Sequence, residues 1–204
     1  MVGPSSSHTA GAVRLGLIAK NIYSKPVKNV KFRLYNSFAQ TGKGHGTQKG
    51  LLAGILGYCV YDTGIKDIFN TVKGIDYDFE YAEDLTRHPN SVDIEINDEM
   101  KICGESRGAG EIKITSINGF SVSISGNYHT ILLLHKDRPG MISKICNIIQ
   151  NQNINIASLH CDRNEKGGIA SMYIALDIFA DDNVIQGISE TDDVYYVTQI
   201  RKIE

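Results

Sequence analysis

From Ile131 onward the apolar residues change their period repeatedly, and the order of those changes leaves few folds open. Ile131 to Leu134 form a short apolar run, and Ile142, Ile145, Ile148 and Ile149 then recur at helical spacing. Ile154 to Asp162 has strand character, and after a Gly167-Gly168 turn Ala170, Met172, Ile174 and Leu176 alternate with other residues. Asp181-Asp182 opens a second helix, and Val194 to Ile200 reads as a last strand. The order βαββαβ is the ferredoxin-like plan, in which one sheet with two helices on one face closes its own core. The pattern resets near Asn127-Tyr128, so the expected domains are 1–126 and 127–204, in an α+β chain whose N-terminal part is mixed α/β. At 204 residues, 42% of them hydrophobic, the chain is long enough for two separate cores.

The N-terminal half opens on Gly3-Pro4-Ser5-Ser6-Ser7-His8-Thr9-Ala10-Gly11-Ala12. Ala10, Val13 and Leu17 at helical spacing predict a tight turn feeding a helix that runs to about Lys20. Such a helix start presents unpaired backbone N–H groups and positive partial charge, which suit an anion. Serine hydroxyls there either donate to a bound carboxylate or simply cap the helix, with Ser7 as the N-cap and His8 exposed in the first turn. Val27 to Tyr35 reads as a strand. Thr41-Gly42-Lys43-Gly44-His45-Gly46-Thr47 follows, where glycines flanking His45 permit close approach of a ligand and Thr47 can cap the next helix. The segment is either a phosphate loop or a flexible turn, and its spacing is not that of a Walker motif. The next helix carries Leu51, Leu52, Ile55, Leu56 and Cys59 beside Gly50, Gly54 and Gly57, a smooth stripe that implies close helix packing.

A strand is expected at Asp76 to Tyr81, and then His88-Pro89-Asn90-Ser91, where Pro89 restrains His88 and fixes its relation to Asn90. Asn and Pro also favour ordinary surface turns. Val92, Ile94 and Ile96 alternate with polar residues, as do Met100 and Ile102; keeping these on one face sets Ile96 opposite Met100 and Ile94 opposite Ile102. The same parity argument predicts a three-residue bulged loop at Asn118-Gly119, pairing Ile114 with Val122 and Ile112 with Ile124. Ser106-Arg107-Gly108-Ala109-Gly110 marks a bulge or a close approach within the strand pattern.

Composition excludes several classes. A formal net charge of −2 without a basic run gives no footprint for nucleic acid or for an anionic membrane surface. No run of about 18 apolar residues and no secretory signal are present, so a cytoplasmic location is the default expectation. Cys59, Cys103, Cys146 and Cys161 are scattered, with no C-x-x-C pair, and all four read as structural, Cys59 and Cys146 as buried helix residues. No metal ligand is expected in this chain.

Taken together, the Gly3 to Thr9 block, Gly44-His45-Gly46-Thr47 and His88-Pro89-Asn90 resemble motifs of the β subunit of bacterial iron–sulfur L-serine dehydratases, over essentially the whole length. Ser106 to Gly110 resembles that family's Ser-x-Gly-Gly-Gly element with Ala109 in place of the middle glycine, and the C-terminal unit with Asp137-Arg138-Pro139-Gly140 resembles an ACT domain. Family members carry a further segment, forming a first strand, ahead of the Gly3 block, so the resemblance implies a sheet short of that strand here.

The resemblance implies that L-serine is converted to pyruvate and ammonia by elimination of water. A 4Fe-4S cluster would take the substrate hydroxyl, its cysteines coming from an α subunit. His45 is implied as the base for the α-proton, and a glycine-flanked imidazole can reach a small substrate without hindrance. Ser5, Ser6, Ser7, His8, Thr9, His88 and Asn90 are implied as substrate-binding residues. Asp137, Arg138, Pro139 and Gly140 are implied as an effector loop of an ACT-mediated oligomer. The first domain also resembles the allosteric substrate-binding domain of some phosphoglycerate dehydrogenases, which leaves a non-catalytic amino-acid sensor as the alternative. The coexistence of the His45 and His88-Asn90 motifs favours the catalytic subunit. A metal hydrolase using His8, His45 and His88 is weakly supported, because these residues lack the local spacing of metal ligands.

Overall fold

The computed structural model describes residues 6–203, apart from the side chains of Ser6, Ser7, Lys43 and His45. Ser5, expected to bind substrate, lies outside the described residues. The chain forms two compact units, one running up to Gly126 and including Ile203, the other spanning Asn127–Lys202.

The first unit opens with a π-type turn over Ser6–Ala10 that continues without a break into α1 (Gly11–Tyr23), Ala10 itself being helical at φ −65° and ψ −43°. Ser7 therefore lies inside a helical turn and is not the N-cap. His8 is likewise not an exposed first-turn residue, because the wide turn carries His8 and Thr9 into buried positions. After β1 (Asn29–Tyr35) come α2 (Asn36–His45), α3 (Thr47–Ile55), a 3-10 turn (Thr63–Asp67), the single-turn α4 (Ile68–Thr71) and β2 (Asp76–Ala82). The meander β3 (Ser91–Ile96), β4 (Met100–Gly108), β5 (Glu111–Ile117) and β6 (Phe120–Ile124) completes the unit. The strands form one six-stranded sheet in the order β2-β1-β3-β4-β5-β6, with β1 and β2 parallel and every other neighbour antiparallel.

Alternation decides which face is covered. Val30, Phe32 and Leu34 of β1, Val92, Ile94 and Ile96 of β3, and Ile102 of β4 are buried, and α1 packs on this side against β3, β4 and β5. Phe79 of β2 stacks on Phe32 with ring centroids 5.0 Å apart. The opposite face is a charged lattice, with Arg33 paired to Glu80 at 2.7 Å and Lys31 to Asp98 at 3.0 Å.

The expected close helix packing is present, between α1 and α3. A Cβ built on Gly54 would overlap the carbonyl oxygen of Val13 and stand 2.8 Å from the Cα of Gly16; one on Gly16 would overlap the carbonyl oxygen of Leu51. A Cβ on Gly50 would lie 3.0 Å from that of Ala12. The helices thus touch backbone to backbone, and this contact offsets the propensity cost of about 1 kcal/mol per helical glycine.

The β3–β4 register matches expectation, with Ile96 opposite Met100 and Ile94 opposite Ile102. The β5–β6 hairpin does not. Ile117 pairs with Phe120 and Ser116 with Ser121, leaving Asn118 and Gly119 as a two-residue turn with φ of +48° and +84°. This is the backbone of a type I′ turn, which matches strand twist. Face parity is restored further along by a register shift between Ile114 and Ser116, after which Ile114 faces Ile124. The bulge thus sits in the strands and not at the tip.

Ser106 to Gly110 resolves into another tight hairpin end: Gly108 pairs with Glu111 and the turn residues Ala109 and Gly110 have φ of +51° and +84°. Nothing lies within 4 Å of a Cβ built on Gly110, so no close approach explains that glycine; the turn conformation does. Ala109 occupies the left-handed region, which costs a residue with a Cβ about 1 kcal/mol relative to glycine. Ala109→Gly is therefore expected to stabilise the chain by about 1 kcal/mol, or about 2–4 °C in melting temperature. Differential scanning calorimetry checks this, and an unchanged or lower midpoint contradicts it.

The second unit contains β7 (His129–Lys136), α5 (Met141–Gln150), β8 (Ile156–Arg163), β9 (Ile169–Leu176), α6 (Asp182–Ser189) and β10 (Val194–Ile200), with sheet order β10-β7-β9-β8. This is the expected βαββαβ plan. Ile131 and Leu133 of β7, Met172 and Ile174 of β9, and Ile145 and Ile188 of the helices share one core.

Candidate active site

Helix α2 organises the site. Ser37, Thr41 and position 45 follow one another at i, i+4 and i+8 and so lie in one row along the helix. His8, 9% exposed, reaches this row from the opening turn: its Nε2 lies 3.0 Å from Thr41 Oγ1 and 3.3 Å from Ser37 Oγ, and its ring packs on Phe38. The Thr41 hydroxyl donates its proton to the Ser37 carbonyl at 2.8 Å, which leaves Oγ1 as acceptor and places the His8 proton on Nε2.

The glycine-rich stretch before Thr47 is not a loop. Gly42 and Gly44 belong to α2, and the chain turns only at Gly46, whose φ of +77° requires glycine and whose N–H bonds back to the Gly42 carbonyl. Gly42 fits there because a Cβ would stand 3.3 Å from that of Thr47, whereas nothing lies within 4 Å of one on Gly44. His45 is the last residue of α2. A Cβ on Gly46, the next residue, would lie 3.4 Å from Thr9 Oγ1, so the opening turn and the end of α2 are in contact. Thr47 does not cap α3. It is fully buried, and among the described residues its Oγ1 has no hydrogen-bond partner.

His88-Pro89-Asn90 is more than a surface turn. The Pro89 carbonyl accepts from Phe38 N–H in the first turn of α2 at 3.4 Å, and the Asn90 carbonyl accepts from Ser106 N–H on β4 at 2.9 Å. His88 Nδ1 accepts from Asn90 N–H at 3.1 Å, which fixes the neutral tautomer with its proton on Nε2, available as a donor. The π-type turn packs against α2 and α3, which carry the Gly44 to Thr47 motif, and against β4, to which Asn90 is hydrogen-bonded.

Asn90 Oδ1 and Ser91 Oγ are, like Thr47 Oγ1, buried without a hydrogen-bond partner among the described residues. An unsatisfied buried polar atom costs about 1–3 kcal/mol. Thr47 follows the end of α2, while Asn90 and Ser91 belong to the segment that bonds to α2 and β4.

Two supports were not evident in the sequence. Asn36, at φ +50° between β1 and α2, accepts from Asp84 N–H at 2.9 Å and donates to the Asp84 carbonyl at 2.8 Å, clamping the segment that leads to His88. Arg87, the residue before His88, binds Asp93 at 2.6 Å and lies over the Tyr35 ring at 4.1 Å. Asp93, 4% exposed, also accepts from Tyr35 Oη at 3.0 Å and pairs with Lys101 at 3.0 Å. Burial pushes the Asp93 carboxyl up, but hydrogen bonds from Arg87, Cys103 and Lys101 more than offset this and hold it below its ordinary value. An Asn at a strand-to-helix junction is the one signal that could have exposed the first support.

The cysteines are divided between the units, two in each. Cys59 is exposed in the turn after α3, not buried on it, because α3 ends at Ile55. Cys103 is half-buried on β4, where burial and then the Asp93 carboxylate push its thiol up to about 11. Cys146 is half-buried on α5 and Cys161 exposed on β8. Among the described residues no three His, Cys, Asp or Glu side chains gather as metal ligands, and no helix is long and apolar enough to cross a membrane.

In the second unit the Asp137 to Gly140 segment is held at both ends. Asp137 accepts from Arg163 Nη1 at 2.8 Å and from Gly167 N–H at 2.9 Å, Arg138 pairs with Asp193, and Gly140 precedes α5 at φ +89°.

Comparison with known proteins places these motifs in context. The family model described as "Serine dehydratase beta chain" matches residues 1–102, and that described as "AHAS small subunit-like ACT domain" matches residues 131–196. The chain is 37% identical to the "Probable L-serine dehydratase, beta chain" of Bacillus subtilis, covering 98% of this chain and 93% of that one. It is 39% identical to the "L-serine dehydratase, beta chain" of Peptoniphilus asaccharolyticus, covering 87% and 83% respectively. A D-3-phosphoglycerate dehydrogenase of Bacillus subtilis is 23% identical over 93% of this chain but only 37% of that protein.

Proposed function

Because the chain belongs to the serine dehydratase beta chain family, we propose that it is the β subunit of an iron–sulfur L-serine dehydratase. In this reading an assembly with an α subunit converts L-serine to pyruvate and ammonia. The observation that carries the proposal is the gathering of the His8, His45 and His88-Asn90 segments around α2 and the opening turn, with three unpartnered buried oxygens among them. L-Serine carries a carboxylate, an ammonium and a hydroxyl. The Nε2–H of His88 and the neighbouring Asn90 amide suit the carboxylate, while Thr47 Oγ1, Ser91 Oγ and Asn90 Oδ1 offer acceptors for the ammonium. Ser5, Ser6, Ser7, His8 and Thr9 line the same pocket in this assignment. His45 removes the α-proton, a step that needs a base titrating near neutrality.

The described thiols do not fit a 4Fe-4S cluster held by this chain. Cys103 keeps its proton beside Asp93, and Cys59 and Cys103 are the two thiols of the first unit. The cluster is therefore assigned to the α subunit. In the second unit, the Asp137 to Gly140 loop at the start of α5 is proposed to receive an effector carboxylate in an ACT-mediated oligomer.

The test is reconstitution. Purified anaerobically alone, the chain is expected to bind no stoichiometric iron and to release no ammonia from L-serine, and addition of the α subunit restores both. Replacing Cys59, Cys103, Cys146 and Cys161 together by Ala should leave the cluster spectrum of the reconstituted enzyme intact. A folded, α-bound mutant chain whose assembly lacks the cluster would overturn the assignment.

A further inference from the structure

Cys161 and His135 form a hydrogen-bonded pair that the proposed reaction does not use. His135, on β7, is 2% exposed, and its Nδ1 lies 2.8 Å from the Lys136 carbonyl oxygen. A carbonyl only accepts, so in the neutral ring Nδ1 carries the proton and Nε2 the lone pair. That lone pair stands 3.6 Å from Cys161 Sγ, a distance at which the thiol donates to the imidazole. The strand register explains how two residues on non-adjacent strands meet. His135, Ala170 and Arg163 form one row across β7, β9 and β8, and Cys161 lies two residues before Arg163 on the same face. Ala170, between them, contributes only a methyl group.

The residue is exposed while its sulfur, turned toward His135, is partly shielded. β8 is an edge strand, so a small reagent can reach the sulfur without crossing the core. Burial, then the Asp137 and Asp162 carboxylates, hold the thiol above its ordinary value while Arg163 pulls it down, so the sulfur of the pair rests as S–H. Such a pair becomes nucleophilic only as its proton leaves for the base, the arrangement by which a Cys–His pair is activated.

We propose that Cys161 is a site of reversible S-thiolation by low-molecular-weight disulfides, with His135 as the base that takes its proton. Cys161 Sγ attacks one sulfur of the disulfide as its proton passes to His135 Nε2. A new S–S bond forms, the reagent's own S–S bond breaks, and the departing thiolate recovers the proton to leave as a free thiol. Cys161 sulfur is oxidised and the departing sulfur reduced, so electrons balance. The adduct grows beside the Arg163–Asp137 pair, which ties the Asp137 to Gly140 segment to the β8–β9 turn.

The full chain is treated with excess 2-hydroxyethyl disulfide without denaturant, quenched in acid, and the four cysteines are followed by peptide mass spectrometry. Cys161 is expected to be modified at least about 10-fold faster than Cys59, the other exposed thiol, a modest share of the about 10²–10⁴ that a positioned base supplies in enzymes. The ratio should fall to near one in denaturant, and dithiothreitol should remove the adduct. His135→Asn keeps an N–H for the Lys136 carbonyl but has no Nε2, and it should slow Cys161 to the Cys59 rate while leaving Cys59 itself unchanged. A native ratio near one overturns the proposal, as does a folded His135→Asn chain in which Cys161 reacts as before. If that variant does not fold, the native and denatured ratios of the parent chain decide alone.

Discussion

His45→Asn, assembled with the α subunit, is expected to slow ammonia release from L-serine by about 10²–10⁴-fold, the usual cost of losing a general base. The substitution should not disturb the fold. Position 45 closes α2 just before the left-handed Gly46, where the helix is already ending and asparagine is well tolerated. The His8 contacts to Ser37 and Thr41 lie one and two turns earlier and do not depend on position 45. Asparagine retains a polar group of similar reach but cannot accept a proton near neutrality. The loss should therefore fall on kcat, with KM for L-serine little changed and the serine-induced change in the cluster spectrum preserved. A variant within about threefold of the parent's kcat would assign the base elsewhere. A rise confined to KM would make His45 a binding residue.

Gly54→Ala should cost about 3 kcal/mol and lower the melting midpoint by about 6–12 °C. Its new methyl would meet the Val13 carbonyl, the Leu17 amide nitrogen and the Gly16 Cα, all main-chain atoms that no rotamer change can clear. The helices must separate, and the side chains that flank the contact lose packing. Gly44→Ala supplies the control. It lies in α2 with nothing within 4 Å of its added carbon, so the same chemical change should be neutral or stabilising by up to about 1 kcal/mol. Equal effects at the two positions would show that helix propensity, and not the backbone contact, governs both.

The parts of the molecule that were legible in the sequence are those ruled by periodicity. The βαββαβ order of the second unit and the Ile94–Ile102 register follow from alternation of apolar residues, because a one-residue slip would expose the whole apolar set. The parity argument failed at Asn118-Gly119 because it assumed that a bulge must sit at the turn. The turn took the backbone its two residues prefer, and the register shift moved into the strand. Gly42 and Gly44 read as a loop because propensity counts only what a glycine loses. The fit of Gly42 against Thr47 is a tertiary gain that no local window contains.

The candidate site was legible as three motifs, which the resemblance assigned to one pocket, but the residues that brace them were not legible. The segment leading to His88 is braced by Asn36 and Arg87, residues whose roles depend on partners 48 and 6 positions away. Cys59 was misplaced for a simpler reason. Its helical spacing from Leu52 and Ile55 is real, but the helix stops first.

The contact between α1 and α3 has a mechanical meaning for the proposed site. Because the two helices meet main chain to main chain at Gly16, Gly50 and Gly54, there is no side-chain layer between them to act as a bearing. The opening turn extends α1 and Thr47 begins α3, so His8, Thr9 and Thr47 ride on one stiff body. The segment carrying His88 and Asn90 is fastened separately, by the Asn36 and Arg87 side chains and by main-chain bonds to Phe38 and Ser106. One side of the proposed site is thus an anvil fixed by glycine, and the other is a jaw held through Asn36 and Arg87 and two main-chain bonds.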